Sequence, residues 1–277
     1  MQITPLAVSD PEFLSACTKT SRWDEMISMS LGSTHIAHNP GPPFRSWTNA
    51  SGKDLRLLEY TAPNGTASSL AADLSALLAT CKPGTTIEVL SETFGPIKPS
   101  PELLQSLGFV ASSGGVVRTL EIPASYTPTT AFPAGVTLHP VTTELDWADR
   151  VSIEQILFSY PLKGDYVRRL DVALRYLAND RRSDFNVIAR HEGSVIAYIN
   201  MRYARGVAYL QGAGVMASWR KRGLMRAMLE RAVVEAQGKG FAVVMTRAWD
   251  EDARKAWVAM GFAGALVCDS KWKLTVA

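Results

Sequence analysis

The segment at residues 185–216 constrains the fold of this chain more than any other. Its sequence, FNVIARHEGSVIAYINMRYARGVAYLQGAGVM, is rich in apolar and β-branched residues and has two short breaks, at Glu192-Gly193 and Arg205-Gly206. A two-residue break with glycine in second place is typical of a tight turn between neighbouring strands. The segment therefore predicts three consecutive strands joined by hairpin turns.

Helical and extended patterns alternate on both sides of these strands. The sequence predicts a strand at residues 135–141 and helices at 144–160 and 166–180 before them. After them it predicts a helix from about Arg220 to Gln237. Two adjoining apolar rows mark the buried face of that helix: Leu224, Met228, Ala232 and Met225, Leu229, Val233.

The last part of the chain completes this pattern. It predicts a buried strand at residues 241–249, a helix at 250–260 that stops at Gly261, and closing strands at 263–269 and 271–276. The order of elements predicts a mixed α/β domain of the α+β type, built around a mostly antiparallel sheet.

Residues 122–135, IPASYTPTTAFPAG, have no periodicity and predict a linker between domains at 1–121 and 136–277. The first domain repeats the second faintly, with predicted strands at 1–8, 54–61, 85–92, 109–114 and 116–122 and helices within 12–31, 68–80 and 101–109. LLQSLGFVASSGGVVRTLEI and AWVAMGFAGALVCDSKWKLTV share a helix, a Gly-Phe pair and two strands. This similarity suggests a tandem pair of related domains.

Composition excludes several classes of protein. The net charge is +3 and 47% of the residues are apolar, which is typical of a globular protein and gives no argument for nucleic acid. The three cysteines are far apart and the close pair of histidines, His35 and His38, has no nearby ligand set, so no metal site is expected. No signal peptide or membrane span is visible, so we expect a cytoplasmic protein without a membrane partner.

The basic cluster at residues 220–226, RKRGLMR, lies where a strand runs into a helix. The first N–H groups of a helix have no internal partners and carry partial positive charge, so they bind phosphate well. Gly223 leaves room for a ligand to approach the backbone. Because basic residues at this end oppose the helix dipole, an anion would offset their cost. A solvated basic face and a nucleic-acid patch are the alternatives.

This cluster resembles the pyrophosphate-binding motif (Q/R)-x-x-G-x-(G/A) of the GNAT superfamily of acyl-CoA-dependent N-acetyltransferases. The preceding GVMASWR is similar to that family's strand end, V-x-P-x-x-R, and DEDARKAWVAMGF is similar to N-x-x-A-x-x-x-Y-x-x-x-G-F. The resemblance implies a GNAT-like fold over residues 136–277 and acetyl-CoA as co-substrate. It implies cofactor-binding residues at Ala213, Gly214, Val215, Arg220, Lys221, Arg222, Gly223, Leu224, Met225, Arg226 and Trp257.

The sequence departs from this family at several site positions. Met225 stands where the family has Gly or Ala, and Asp250 replaces an Asn. Trp257 replaces the Tyr that many members use as the acid for the departing thiolate. An indole N–H donates a hydrogen bond but is no proton source near pH 7.

The expected base is also absent. By the resemblance, the position of the family's catalytic Glu falls on Tyr209, with Gln211 two residues further on the same strand face. Neither is a carboxylate, and a tyrosine with an ordinary pKa of about 10 is a poor base. Tyr209 is alternatively a wall of the acceptor pocket. The resemblance places that pocket near Tyr160, Asp165 and Tyr166, which suit a cationic amine or, alternatively, are loop and core-edge residues.

The leading hypothesis is direct transfer of the acetyl group of acetyl-CoA to a primary amine of a small molecule. The alternatives are a non-catalytic acyl-CoA-binding or sensor protein, and an acetyltransferase that acts on a protein amine. The first half carries no R-x-x-G spacing in EYTAPNGTASSLAADL and is interpreted as a degenerate GNAT-like domain that binds no acyl-CoA. Its stretch at residues 33–47 is interpreted as a loop that reaches a neighbouring site.

Overall fold

The protein is described from a computed structural model. The residues that the structure describes are 4–7, 9–13, 16, 43–48, 54–60, 62, 64–90, 97–112, 116–158, 185–248, 251–267 and 271–277. The chain forms two compact units, and each combines two separate segments of the sequence. The seven-stranded unit combines Met1–Asp24 with Val117–Leu266, and the five-stranded unit combines Glu25–Val116 with Val267–Ala277.

The five-stranded unit is a mixed sheet with two described helices. Its elements are β1 Phe44–Thr48, β2 Asp54–Tyr60, α1 Ala67–Thr80, β3 Thr86–Leu90, α2 Pro101–Ser106, β4 Val110–Ser112 and β12 Lys271–Thr275. The strand order is β1-β2-β3-β12-β4, in which β2 and β3 run parallel and β12 is antiparallel to both its neighbours. Apolar side chains from sheet and helices form its core: Leu57, Leu70, Leu74, Ile87, Val89, Leu104 and Trp272.

The seven-stranded unit is a larger mixed sheet in the order β11-β5-β10-β9-β8-β7-β6. Its elements are β5 Val116–Glu121, β6 Val136–Pro140, α3 Glu144–Phe158, β7 Phe185–His191, β8 Ser194–Ala204, β9 Val207–Val215, α4 Leu224–Gly238, β10 Val243–Ala248, α5 Glu251–Ala259 and β11 Gly264–Val267. Strands β6 to β9 are antiparallel, and β10 runs parallel to β9. The two faces of the sheet differ, since α4 packs on one and α3 packs on the other.

Two tight turns join β7, β8 and β9 as the sequence predicted. Glu192 and Gly193 have φ angles of 49° and 80°, and Arg205 and Gly206 have φ angles of 51° and 80°. Positive φ at both central residues is the geometry of a type I′ turn, which matches the twist of paired strands. The prediction of three consecutive hairpin-joined strands is confirmed.

Helix α4 carries the predicted apolar face but begins later than predicted. Its two apolar rows are buried, apart from the partly buried Met225. The helix starts at Leu224 rather than near Arg220, because Lys221 and Gly223 have φ angles of 60° and 78° and therefore cannot continue a right-handed helix. The residues Arg220, Lys221 and Arg222 thus lie in the turn before the helix.

The two units exchange their last strands. In the five-stranded sheet β12, from the end of the chain, lies between β3 and β4; in the seven-stranded sheet β5, from the first half, lies between β10 and β11. The two segments that resemble each other in sequence thus occupy equivalent positions in the two units, with one difference. The second strand of each segment pairs in the sheet of the other unit. The predicted boundaries of 1–121 and 136–277 do not follow this division, because a strand's hydrophobic pattern does not specify which sheet it joins.

Residues 122–135 have no helix or strand, but they are fixed along α4. The Ile122 N–H donates to the Ala242 carbonyl at 2.7 Å, and Gln237 Nε2 donates to the carbonyls of Pro123 and Ala124 at 2.9 and 3.0 Å. Glu230 holds the middle of the segment. The stretch interpreted as a linker is therefore part of the seven-stranded unit rather than a free tether.

Other sequence expectations differ from the structure near the start of the chain. The predicted strand at 1–8 is not extended sheet at residues 4–7, although the Leu6 N–H donates to the Gly206 carbonyl at 2.8 Å. The end of the predicted loop at 33–47 belongs to β1, whereas its residues 33–42 lie outside the described residues, as does the predicted helix at 166–180. None of the described helices has the length and hydropathy that crossing a membrane requires.

Candidate functional site

A cavity of about 470 Å³ lies in the seven-stranded unit between the end of β9, the turn before α4, and α5. It is lined by Leu157, Ala213, Gly214, Val215, Trp219, Arg220, Lys221, Gly223, Leu224, Met225, Arg226, Ala256 and Met260. Every residue predicted to bind the cofactor lines this cavity except Arg222 and Trp257. The structure therefore brings together two parts of the predicted site, the end of a strand and the basic turn.

Strand β9 leaves its parallel neighbour before it reaches the cavity. Among the described residues, pairing with β10 runs from Ala208 opposite Val244 to Leu210 opposite Thr246. Pairing with β8 continues to Val215, but its register shifts so that Gln211 is an extra residue between Leu210 and Gly212. Such a bulge bends a strand and ends its regular pairing. As a result, the β9 edge that carries Ala213, Gly214 and Val215 faces the cavity.

The turn before α4 is shaped for close contact with its backbone. Gly223 caps the helix with φ 78° and ψ −7° and makes no side-chain cap, so the first N–H groups of α4 have no capping side chain. A Cβ atom at Gly223 would meet only the Thr130 methyl carbon, at 3.5 Å, among the described residues. Gly223 thus allows the left-handed backbone conformation that the turn requires, and its lack of a side chain leaves the helix start open toward the cavity.

The basic side chains of the turn have different surroundings. Arg220 Nε donates to the Val215 carbonyl at 3.2 Å, which ties the turn to the end of β9. The Arg222 guanidinium lies 4.8 Å from the centre of the Trp219 ring, and Arg226 Nη2 donates to the Ala259 carbonyl at 2.8 Å near the end of α5. Lys221 is exposed at the cavity. The turn therefore combines fixed arginines with one exposed ammonium beside a helix N-terminus.

Met225 and Trp257 are two of the positions that depart from the family motifs. Met225 lines the cavity and also packs against the main hydrophobic core, as its place in the apolar row of α4 predicted. The Trp257 ring contacts Phe262 in an edge-to-face arrangement, with centroids 5.3 Å apart, and packs against the same core. Trp257 does not line the cavity, so the structure places its indole in a packing role.

Tyr209 and Gln211 lie on the face of the sheet that packs against α3. Tyr209 is only 3% exposed and pairs across the strands with Arg202. Burial lowers the pKa of Arg202 to about 10, while its interaction with Tyr209 acts in the opposite direction. Arg202 therefore remains a cation near neutral pH, and the buried Tyr209 beside it does not line the cavity.

Gln211 ends a partly buried polar network that the sequence did not predict. Arg150 Nη1 donates to Glu154 at 2.8 Å, and its Nη2 donates to the Asn200 side-chain oxygen at 3.2 Å. The Asn200 side-chain nitrogen then donates to Gln211 Oε1 at 2.7 Å. The spacing of Arg150 and Glu154 on one helix is visible in the sequence, but their partner on β8 depends on the tertiary fold.

Glycines on β9 allow this network and the cavity to form. A Cβ atom at Gly212 would lie 2.9 Å from the Asn200 side-chain oxygen, and one at Gly214 would collide with the Leu157 side chain. Leu157, at the end of α3, therefore packs directly on the strand backbone. It lines the cavity on the side opposite α4 and α5 and was not predicted from the sequence.

The corresponding turn of the five-stranded unit differs in both shape and polarity. Thr66 caps α1 through a capping box with Ser69, so the Ser69 N–H group at this helix start is bonded within the protein. A Cβ atom at Gly65 would lie 2.6 Å from the Tyr60 ring, and Tyr60 Oη donates to Asp73 at 2.7 Å. Protein side chains thus fill the space at this helix start. The predicted acceptor residues Tyr160, Asp165 and Tyr166 lie outside the described residues.

Comparison with known proteins agrees with this geometry. Residues 150–262 match the family model for the acetyltransferase (GNAT) family. A GCN5-related N-acetyltransferase from Kribbella flavida is 15% identical, over 92% of this chain and 93% of that one, with a TM-score of 0.52. Another from Sphaerobacter thermophilus is also 15% identical, over 84% and 76% of the two chains, with a TM-score of 0.56.

A tandem GNAT protein from the clavulanic acid biosynthesis pathway covers the whole molecule. It is 15% identical over 99% of this chain and 98% of its own, with a TM-score of 0.60. No curated protein matches the sequence significantly. At these identities the likeness concerns the fold, so the predicted α+β mixed-sheet, tandem GNAT-like fold is confirmed.

The fold, the separation of β9 from β10 and the start of α4 without a capping side chain define a GNAT-like domain. Over residues 150–262 the chain is similar to the acetyltransferase (GNAT) family.

Proposed function

We propose that the protein transfers the acetyl group of acetyl-CoA to a primary amine of a small molecule, directly and without a covalent enzyme intermediate. The observation that carries the proposal is the cavity at which the free edge of β9, the left-handed turn at Gly223 and the start of α4 meet. An extended, amide-containing arm that ends in a pyrophosphate fits these features. The strand edge offers backbone hydrogen bonds, and the helix start offers N–H groups and positive charge.

The residues of the chain divide into two binding roles. The N–H groups around Gly223, Leu224 and Met225 would hold the pyrophosphate, with Lys221 and the arginines of the turn adding attraction. The backbone of Ala213, Gly214 and Val215 would pair with the amides of the pantetheine arm. The apolar wall formed by Leu157, Met225 and Met260 would exclude water from the arm.

Acetyl-CoA supplies an activated thioester. In the proposed reaction the amine nitrogen forms a bond to the carbonyl carbon, the carbon–sulfur bond breaks and the sulfur leaves as a thiolate. The proton that the nitrogen loses passes to water. Neither Tyr209 nor Gln211 is a carboxylate, and Trp257 packs against Phe262. The protein would therefore act mainly by positioning a neutral amine beside the thioester and by binding the carbonyl oxygen with N–H donors.

The packing of Trp257 also favours a second candidate, a non-catalytic acyl-CoA sensor. Because this indole neither titrates near pH 7 nor lines the cavity, the usual acid of the family has no counterpart at its position. Release of free thiol from acetyl-CoA in a panel of small primary amines would argue for the enzyme. Tight binding of acetyl-CoA with no thiol release across the panel would argue for the sensor.

Thermal unfolding with saturating acetyl-CoA tests the binding site. We expect the ligand to raise the melting temperature of the wild type, and Gly223→Glu to lose that increase because a carboxylate would enter the phosphate site. Gly238→Glu, at the other end of α4, is the matched control, since a Cβ atom there meets no described atom within 4 Å. No increase for the wild type, or an undiminished increase for Gly223→Glu, would contradict the proposal.

A further inference from the structure

The polar network beneath β9 has a fixed direction. A guanidinium only donates hydrogen bonds, so the group of Asn200 that faces Arg150 must be its oxygen. The Asn200 nitrogen is then left to donate to Gln211, whose oxygen must accept. The Gln211 amide therefore has its oxygen toward Asn200 and its NH₂ group directed away from the network. One cation thus determines the orientation of two neutral amides.

The cation at the head of this network is held firmly. Arg150 is mostly buried, its guanidinium carbon lies 4.6 Å from the centre of the Tyr198 ring, and Glu154 balances its charge. Burial lowers the pKa of Arg150, but the Glu154 carboxylate outweighs this and holds the pKa above its ordinary value. Arg150 therefore remains a donor throughout the physiological range. Asn200 is 5% exposed, so water does not compete for its amide.

The far end of the network lies on β9, close to the residues of that strand that line the cavity. Gln211 is the bulged residue of β9 and stands two positions before Ala213, the first residue of the strand that lines the cavity. If the pyrophosphate binds near Gly223 and the arm follows β9 back through Val215 and Ala213, the thioester reaches the strand near Gln211. The bulge leaves Gln211 and Gly212, which are consecutive, on the same face as Asn200.

We propose that Arg150, Asn200 and Gln211 form a one-way hydrogen-bond relay that makes Gln211 a donor to the carbonyl oxygen of the acetyl group. Gln211 would be a catalytic residue in this scheme, since its Nε2–H group stabilises the negative charge that develops on that oxygen. Arg150 and Asn200 would be positioning residues that act through Gln211. The inference rests on the proposed function, and it excludes Gln211 as a base.

The ¹³C resonance of the thioester carbonyl of [1-¹³C]acetyl-CoA, bound to the full-length protein, reports this hydrogen bond directly. We expect a downfield shift on binding to the wild type, because a donor polarises the carbonyl. Gln211→Glu, which has nearly the same shape but no donor when ionised, should lose the shift. Arg150→Met should reduce it, because the two amides are then free to reverse. The dissociation constant of CoA without an acetyl group should change less than about twofold, a free-energy difference under about 0.4 kcal/mol.

Gln155→Glu is the matched control, since it adds the same charge to the half-buried Gln155 of α3 outside the relay. It should keep the wild-type shift. Asn200→Asp provides a second route if Arg150→Met fails to fold: it removes the Asn200 donor, and a reduced shift is again expected. An unchanged shift in Gln211→Glu overturns the relay alone, whereas a wild-type protein that binds no acetyl-CoA overturns both the relay and the proposed function.

Discussion

Glu230 is the residue that fastens residues 122–135 to α4. It is 7% exposed, and its carboxylate accepts hydrogen bonds from the N–H and hydroxyl groups of Thr129 and Thr130, at 2.7 to 3.2 Å. Burial raises the pKa of Glu230, but these four donors outweigh it and hold the pKa below its ordinary value. Since a Cβ atom added at Gly223 would lie 3.5 Å from the Thr130 methyl carbon, these hydrogen bonds lie close to the start of α4.

The hydrogen bonds between Glu230 and the two threonines predict that the stability of the protein depends on pH. Because the pKa of Glu230 is lower in the folded than in the unfolded protein, its stabilisation is present above the unfolded pKa and is lost as the pH falls through the folded pKa. Glu230→Gln keeps an acceptor and two donors but loses the charge, so we expect it to be less stable by about 1 kcal/mol at pH 7. Urea unfolding should show this difference shrinking steadily below about pH 4.5, near the reference pKa of Glu.

Glu235→Gln provides the control for this titration. Glu235 lies on the same helix in a half-exposed pair with Lys239, 3.4 Å apart, and such pairs contribute little to stability. Its effect should stay within about 0.5 kcal/mol. A difference between Glu230→Gln and wild type that persists unchanged at pH 3 would show that the carboxylate charge is not the source of the stabilisation.

At the residue scale the sequence predicted the packing of Met225, because this residue belongs to an apolar row. It did not predict the left-handed conformation of Gly223, which the sequence analysis placed inside the helix. Arg150 was missed, since its role depends on Asn200, fifty positions away, and on a bulge that no pattern marks. Polar partners that are this far apart in the sequence can be identified only from the folded structure.

At the scale of elements, the two hairpin turns offer a matched comparison. Gly193 and Gly206 have the same φ of 80°, in the second position of the same type of turn. A Cβ atom at Gly193 meets no described atom within 4 Å, whereas one at Gly206 would lie 2.7 Å from the Thr4 carbonyl oxygen and 2.6 Å from Leu6 Cγ. The N-terminal segment therefore packs on one turn and leaves the other open.

This difference predicts unequal costs for the same substitution. Gly193→Ala should lower the free energy of unfolding by about 1–2 kcal/mol, the cost of a left-handed conformation for a residue with a Cβ atom. Gly206→Ala should add a further ~1–3 kcal/mol from overpacking against Thr4 and Leu6. Chemical denaturation of both variants measures the two costs. Equal costs would mean that the N-terminal segment does not pack on this turn in solution.

Elements with a strong local signal were the predictable ones. The hairpins from β7 to β9 have glycine turns, and α4 and α5 have apolar faces and glycine stops, so local chemistry specifies them. The sequence analysis placed the start of α4 too early, because the basic residues before it are compatible with a helix. The positive φ angles of Lys221 and Gly223, which exclude a helix there, are seen only in the structure. Strand β1 was missed because it follows a stretch rich in proline and glycine.

At the scale of the whole molecule, the exchange of strands ties the two halves of the chain together. Strand β5 separates β10 from β11, and β12 separates β3 from β4, so neither sheet is complete with strands from its own half alone. The faint sequence repeat predicted two related units but not the exchange. The hydrophobic patterns of β5 and β12 both suit a position inside a sheet. Which sheet each strand joins therefore depends on the three-dimensional connections and not on its local sequence.

The exchange predicts which fragments of the protein fold. Residues 116–267 contain every strand of the seven-stranded sheet, whereas residues 136–277, the domain suggested by the sequence, lack β5 and end in the unpartnered β12. We expect residues 116–267 to unfold cooperatively and to give a dispersed amide NMR spectrum, and residues 136–277 to aggregate, because an unfilled gap beside β10 exposes strand edges and core. Joint expression of residues 1–135 with 136–277 should restore a folded complex, since each fragment then supplies the strand that the other lacks. A folded, monomeric fragment of residues 136–277 on its own would contradict the exchange.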